Sequence, residues 1–198
     1  MDVLCLDLEG VLVPEVWQAV ADKTGVPGLL KTTRDIPIYD DLMQYRLGLL
    51  REHDIALSTI QAEIDAIEPL PGAVDFLAWA RERYQVVIVS DTFYEFGMPL
   101  MAKLGYPTLL CHRLEVEGDR IIGYQIRQRD PKRCSVQALK SLNYRIFAAG
   151  DSFNDVSMLE EADVGIFFSA PENVTSQFPS FRTTQSYAEL QHALLSAA

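Results

Sequence analysis

The chain has 198 residues, 48% of them apolar, with 28 acidic and 17 basic side chains and a formal charge of −11. That size suits one good core with a small added subdomain, and the acidic surface argues against nucleic acid and anionic membranes as partners. No apolar run reaches the roughly 18 residues of a membrane span; residues 1–20 lack the basic start of a secretory signal; and Cys5, Cys111 and Cys134 are spaced as reduced thiols of a cytosolic protein rather than as a zinc site or disulfide framework.

The apolar run Val3–Leu6 predicts a buried strand that ends in two carboxylates, Asp7 and Glu9. Residues 15–68 contain no convincing strand and are expected to be helical. Within them "DDLMQYRLGLL" predicts a helix with Asp40 or Asp41 as N-cap and an apolar stripe of Leu42, Met43, Leu49 and Leu50. A second helix is expected behind a Ser58-x-x-Gln61 capping box, with Ile60, Ile64 and Ile67 on one face. After "PLPG", a helix opens at Pro71–Gly72 and runs to about Arg83. Strand Val86–Val89 follows, then helix Phe93–Leu104, stopped by Gly105 and Pro107. Residues 113–127 alternate around Gly118–Asp119 as a β-hairpin. Asp130 is expected to cap a helix with Pro131 at its first position. Strands Arg145–Ala149 and Val164–Phe168 come next, and Ser186-x-x-Glu189 predicts a capping box for the last helix. Alternating strands and helices imply an α/β fold with a doubly wound, mostly parallel sheet. Residues 1–14 and 69–198 form its core, with 15–68 as a small helical cap and the β-hairpin as an addition.

In such sheets ligands bind beyond the carboxyl ends of the strands. Those ends carry Asp7 and Glu9, then Ser90, Asp91 and Thr92, then "AAGDSFND" with Asp151, Asn154 and Asp155. Lys132 lies in the first turn of a helix, where backbone N–H groups already favour an anion. Asp7, Asp151 and Asp155 are hard oxygen ligands suited to Mg²⁺. A divalent cation and Lys132 would offset the repulsion between the acids and bind a phosphate, with the Ser90 hydroxyl donating to it. One carboxylate can then attack phosphorus to form an aspartyl-phosphate, and the other can hand a proton to the leaving alcohol. Arg46 lies four residues from both Leu42 and Leu50, so it points inward and needs an anion. Arg46 for a carboxylate and Glu15 for an ammonium would together recognise an amino acid.

These residues resemble the haloacid dehalogenase superfamily of phosphotransferases: "DLEGVLV" its first motif, "VIVSDT" its second, "DPKR" its third and "GDSFND" its fourth. The resemblance covers nearly the whole chain. It is closest to the phosphoserine phosphatase branch, and there to the bacterial type that also transfers phosphate from phosphoserine to homoserine. It implies Asp7 as nucleophile and Glu9, where most members have aspartate, as general acid/base with its backbone carbonyl on Mg²⁺. The extra methylene of Glu9 moves its carboxyl by about 1.5 Å, and the homoserine-transferring type shares this glutamate. The resemblance further implies Ser90 and Lys132 as the phosphate-holding pair, with Asp91 beside them. Asp151 would be a Mg²⁺ ligand, Asp155 a ligand or a supporting acid, and Asn154 a substrate contact. Glu15 and Arg46 keep their amino-acid roles.

The expected activity is therefore Mg²⁺-dependent phosphoryl transfer from O-phospho-L-serine to water or to homoserine. The partners are these small molecules, with no nucleic acid and no membrane; a homodimer is left open. A phosphatase for another small monoester, a phosphoacceptor signalling domain and a non-catalytic binding protein are the alternatives.

Overall fold

Strands and helices follow one another as β1 (Asp2–Leu6), α1 (Val16–Thr24), a 3-10 turn (Pro27–Leu30), α2 (Tyr39–Glu52), α3 (Leu57–Ala66), α4 (Ala73–Arg81), β2 (Gln85–Phe93), α5 (Tyr94–Lys103), β3 (Thr108–Glu117), β4 (Arg120–Gln125), α6 (Pro131–Ser141), β5 (Arg145–Gly150), a 3-10 turn (Phe153–Asp155), α7 (Val156–Glu161), β6 (Val164–Phe168), α8 (Glu172–Thr175), β7 (Arg182–Thr184) and α9 (Tyr187–Ser196). This computed structural model describes residues 1–32, 35–36 and 38–197. Thr33, Arg34 and Pro37, in the segment expected to be helical, and Ala198 lie outside the described residues. No helix among the described residues is long and apolar enough to cross a membrane.

The strands form one seven-stranded sheet in the order β4-β3-β2-β1-β5-β6-β7. Every pairing is parallel except β3 with β4. The strand that opens the chain is thus central in the sheet. Successive side chains of β1 face opposite ways, as strand geometry requires. Leu4 and Leu6 join Phe76, Phe96, Phe147 and Leu190 on one face, while Val3 and Cys5 join Val136, Ile146, Met158 and Val174 on the other. Both faces are covered, so both registers of the strand are apolar; this is why its sequence is a continuous run rather than an alternation.

One strand and half of another escaped the sequence reading. The first half of β3 pairs with β2, Val87 opposite Thr108 and Val89 opposite Leu110, and its five residues resemble a helix tail as much as a strand. β7 has three residues at a sheet edge, too few for a periodic signal. β2 also runs past Val89 to Phe93, with a register shift between those two residues, so Ser90, Asp91 and Thr92 belong to the strand end itself.

Several expected caps are made differently. Ile38, not Asp40 or Asp41, precedes α2, and both acids sit in its first turn, where they complement the helix dipole. Its buried stripe is Leu42, Met43, Arg46, Leu47 and Leu50; Leu49 is only half-buried. The Ser58–Gln61 box does not form. Leu57 and Ser58 donate their backbone N–H groups to Asp119 at the hairpin tip, to its carbonyl and its carboxylate, each at 2.9 Å. The Ser58 hydroxyl donates to the same carboxylate, and Gln61 donates to the Glu95 carbonyl. A carboxylate offered by a neighbouring strand pair outcompetes the local box. Asp130 holds the N-cap position of α6, but its carboxylate accepts from the Ser157 hydroxyl. Ser186 does cap α9, accepting from the Glu189 N–H, while Glu189 reaches back to the N–H of Gln185.

Candidate active site

The carboxyl ends of β1, β2 and β5 surround a cavity of about 380 Å³, closed on its other side by α1 and α2. Asp7, Glu9, Glu15, Arg46, Ser90, Asp91, Asp151 and Asn154 all line it. Lys132 and Asp155, the other two expected residues, lie beneath its floor with 1% and 0% of their surface exposed.

Asp7 is tied to β5 by its backbone N–H, which donates to the Ala149 carbonyl at 3.0 Å. Its Oδ1 accepts from the Leu8 N–H at 2.8 Å and lies 3.0 Å from the Lys132 ammonium. Its Oδ2 accepts no hydrogen bond from the described residues, which leaves one oxygen of a well-held carboxylate available. Burial raises the Asp7 carboxyl well above its ordinary range, Asp155 adds to this, and Lys132 opposes it.

Lys132 is the counter-charge that the sequence called for. Its ammonium is 2.6 Å from Asp155, 3.0 Å from Asp7 and 3.8 Å from Asp91. Burial alone would lower its pKa, but the carboxylates of Asp155, Asp7 and Asp91 outweigh it and hold the ammonium charged. α6 delivers it from below because Pro131 starts that helix and places residue 132 in the first turn.

Asp155 does two jobs at once. Oδ1 takes the lysine, while Oδ2 accepts from the N–H groups of Asp151 and Ser152 at 2.9 and 3.0 Å, closing the turn after β5. Gly150 makes this possible, since a Cβ there would collide with the Asp155 carboxyl. Gly10 does the same for Asp151: its φ is +76°, and a Cβ would run into the Asp151 carboxylate. Burial, then Asp155 and Glu15, push Asp151 up to about 7.

On the opposite wall Glu9 accepts the Val16 N–H, at the start of α1, at 2.9 Å. Burial, with the charge of the neighbouring Glu15, raises Glu9 to about 7. A carboxyl poised there can carry a proton at neutral pH. Arg46 is 8% exposed and stacks over the Trp17 ring at 4.5 Å. One guanidinium nitrogen donates to the Lys31 carbonyl at 2.7 Å, but Nε is buried without a partner among the described residues. An orphaned donor of this kind is costly unless a ligand satisfies it. Burial lowers its pKa to about 10, which leaves it charged.

Ser90 is buried, and its Oγ accepts from the Thr92 N–H. Asp91 accepts from the Asn154 amide at 2.8 Å and lies 3.8 Å from His112 Nε2. His112 is the histidine nearest this group. It is buried, its Nδ1 accepts the Arg127 N–H, and burial lowers its pKa against the pull of Asp91. Only the parallel pairing of β2 with β3, Phe93 opposite His112, brings it there. Trp17 and Tyr39 also line the cavity, as do Thr92 and Phe153 from the strand-end stretches already singled out; no local pattern marks Trp17 or Tyr39, because each is an ordinary helix residue in its own element.

The donor set fits a hard divalent cation. Asp7, Asp151 and Asp155 each offer an oxygen, all within 4.8 Å of one another. Carboxylate oxygens of this kind suit Mg²⁺. Both oxygens of Asp155 are already engaged, which makes it a support for the others.

The chain is similar to several known proteins over most of its length. The phosphoserine phosphatase ThrH of Pseudomonas aeruginosa is 59% identical, with 100% of this chain and 97% of that protein aligned. A phosphoserine phosphatase of Pseudomonas syringae pv. tomato is also 59% identical, over 100% of this chain and 84% of that protein. Among solved structures, a phosphoserine phosphatase from T. onnurineus superposes with a TM-score of 0.75 at 25% identity, covering 96% of this chain and 92% of that one. A phospho-aspartyl intermediate analogue of phosphoserine phosphatase shares the fold with a TM-score of 0.80 at 21% identity, over 96% and 97%. The model of the haloacid dehalogenase-like hydrolases matches residues 29–160, and with the relatives above it shows that the chain belongs to that family.

Proposed function

We propose that this protein hydrolyses O-phospho-L-serine through a phosphoaspartate at Asp7 and can also pass the phosphoryl group to homoserine. The observation that carries the substrate reading is Arg46. A charged guanidinium, with Nε unpartnered among the described residues, faces the same cavity as Asp7, and Glu15 lines that wall beside it. A carboxylate would satisfy the first and an ammonium the second, so an amino acid carrying the phosphate is the matching ligand. The names of the 59%-identical relatives support the same choice.

In this reading Asp7 Oδ2 attacks phosphorus while the bond from phosphorus to the serine oxygen breaks. Glu9 gives its proton to that oxygen. Ser90 and Lys132 hold the phosphoryl oxygens, and the Leu8 N–H keeps Asp7 oriented. Glu9 then takes a proton from water or from the homoserine hydroxyl as the new bond to phosphorus forms and the bond to Asp7 breaks. Mg²⁺, held by Asp7, Asp151 and the Glu9 carbonyl with Asp155 behind them, would supply positive charge to the phosphate. Residues 15–68 serve as a cap over the core of 1–14 and 69–198, limiting water in the cavity.

The test is incubation with phosphoserine, with and without Mg²⁺ and homoserine, measuring free phosphate and phosphohomoserine. Mg²⁺-dependent phosphate release is expected. A preference for a phosphate ester without an amino-acid head would transfer the reading to another small monoester.

A further inference from the structure

We propose that Tyr39 and Tyr124 are positioning residues that set how the phosphoenzyme divides between water and an alcohol acceptor. The proposal rests on the reading above.

Tyr39, Leu42 and Arg46 stand at spacings of three and four along α2, and all three line the cavity. The face of α2 that carries the guanidinium is therefore one wall of the site. Near the start of that helix two tyrosine hydroxyls hold it. Tyr39 donates to the Asp91 carbonyl at 3.3 Å, at the end of the strand that carries Ser90. Tyr124, on β4, donates to the carboxylate of the next residue, Asp40, at 2.7 Å. The two rings meet edge to face at 6.3 Å, and each also packs near His112 or Phe93. α2 is thus fastened to the catalytic strand and to the hairpin at one end. None of these bonds touches Asp7, Glu9, Ser90 or Lys132.

The consequence follows from what the two acceptors need. Water attacks phosphorus without being held by a second group. An amino-acid alcohol gains its advantage from being held in place, its carboxylate on Arg46, which turns a bimolecular step into a nearly unimolecular one. Loosening α2 displaces Arg46 and opens the wall. The held alcohol loses rate, and water does not. In the step itself the alcohol oxygen bonds to phosphorus, the bond from phosphorus to Asp7 breaks and the alcohol proton goes to Glu9, so the pins act only through geometry.

The experiment uses Tyr39→Phe and Tyr124→Phe, with labelled L-serine exchanged into phosphoserine during phosphoserine hydrolysis. Both variants are expected to lower the ratio of exchange to hydrolysis about three- to tenfold, the scale of one hydrogen bond. They should also speed amide hydrogen exchange across residues 39–46 and leave α9 unaffected. An unchanged ratio overturns the proposal whatever happens to kcat, because loss of folded enzyme scales both rates alike. Wild-type protein that hydrolyses phosphoserine without exchanging serine overturns it too. If the wild type releases no phosphate from phosphoserine, the functional reading fails instead. In that case amide exchange in the two variants decides the pins, and unchanged rates in α2 overturn them.

Discussion

Lys132 approaches Asp7 from beneath the cavity floor, with 3.0 Å between its ammonium and Asp7 Oδ1. The lysine therefore restrains one oxygen of the carboxylate and leaves the other facing the cavity. Asp7, at the end of β1, is tolerable because this buried cation stands between it and Asp155. Asp7→Asn is expected to abolish turnover while keeping the fold, since the amide can still accept from the Leu8 N–H but cannot form the phosphoaspartate. Measurable phosphate release at wild-type rates would remove Asp7 as nucleophile. Lys132→Ala should also cost stability, about 3–5 kcal/mol, because it leaves buried carboxylates unpaired; urea unfolding measures that.

Arg46→Ala tests recognition. Its KM for phosphoserine is expected to rise about 10- to 100-fold, the scale of charge-assisted hydrogen bonds. For a phosphate ester lacking a carboxylate, KM should change little. Equal effects on both substrates would remove the specificity argument.

Gly10 separates backbone strain from site geometry. Gly10→Ala places an L-residue at φ +76° and pushes a Cβ into the Asp151 carboxylate. Gly25 has φ +66° with nothing within 4 Å of its added Cβ, so Gly25→Ala carries the strain alone, about 1–3 kcal/mol. Calorimetric titration with Mg²⁺ should show weakened binding in the first variant and wild-type binding in the second. Equal Mg²⁺ affinities would show that Asp151 does not hold the ion.

Glu9 predicts a pH dependence. Burial, with Glu15 next in importance, raises it from 4.5 to about 7. A carboxyl with a folded pKa above its unfolded value favours the fold while protonated. That contribution is complete below 4.5 and is lost as pH rises through about 7. Asp151, also raised to about 7, acts in the same direction. In chelator-treated protein, Glu9→Gln should therefore reduce the fall in melting temperature between about pH 5 and about pH 8. A fall as large as in the wild type would show that Glu9 is not held protonated. Activity of the same variant should drop across the whole range, because an amide cannot donate the proton to the leaving oxygen.

The chemistry of this site was legible in the chain because it is written at the ends of strands. A continuous apolar run is buried on both faces, so the first polar residue after it must lie at the sheet edge, and that is where Asp7 and Asp151 stand. Arg46 was legible for a related reason: helical periodicity alone turns it toward the apolar stripe. What the chain could not state is which of two competing partners a polar group takes. Ser58 had a local capping partner available at Gln61, yet Asp119, 61 residues away, displaces it. His112 had no acidic residue beside it in sequence and gained Asp91 only through a strand register. Periodicity and burial are properties of short stretches, so they survive without a fold. Hydrogen-bond pairing between distant elements depends on how the sheet orders its strands, and only the tertiary structure decided that Tyr39 would fasten α2 to Asp91 and that Lys132 would rise beneath Asp7.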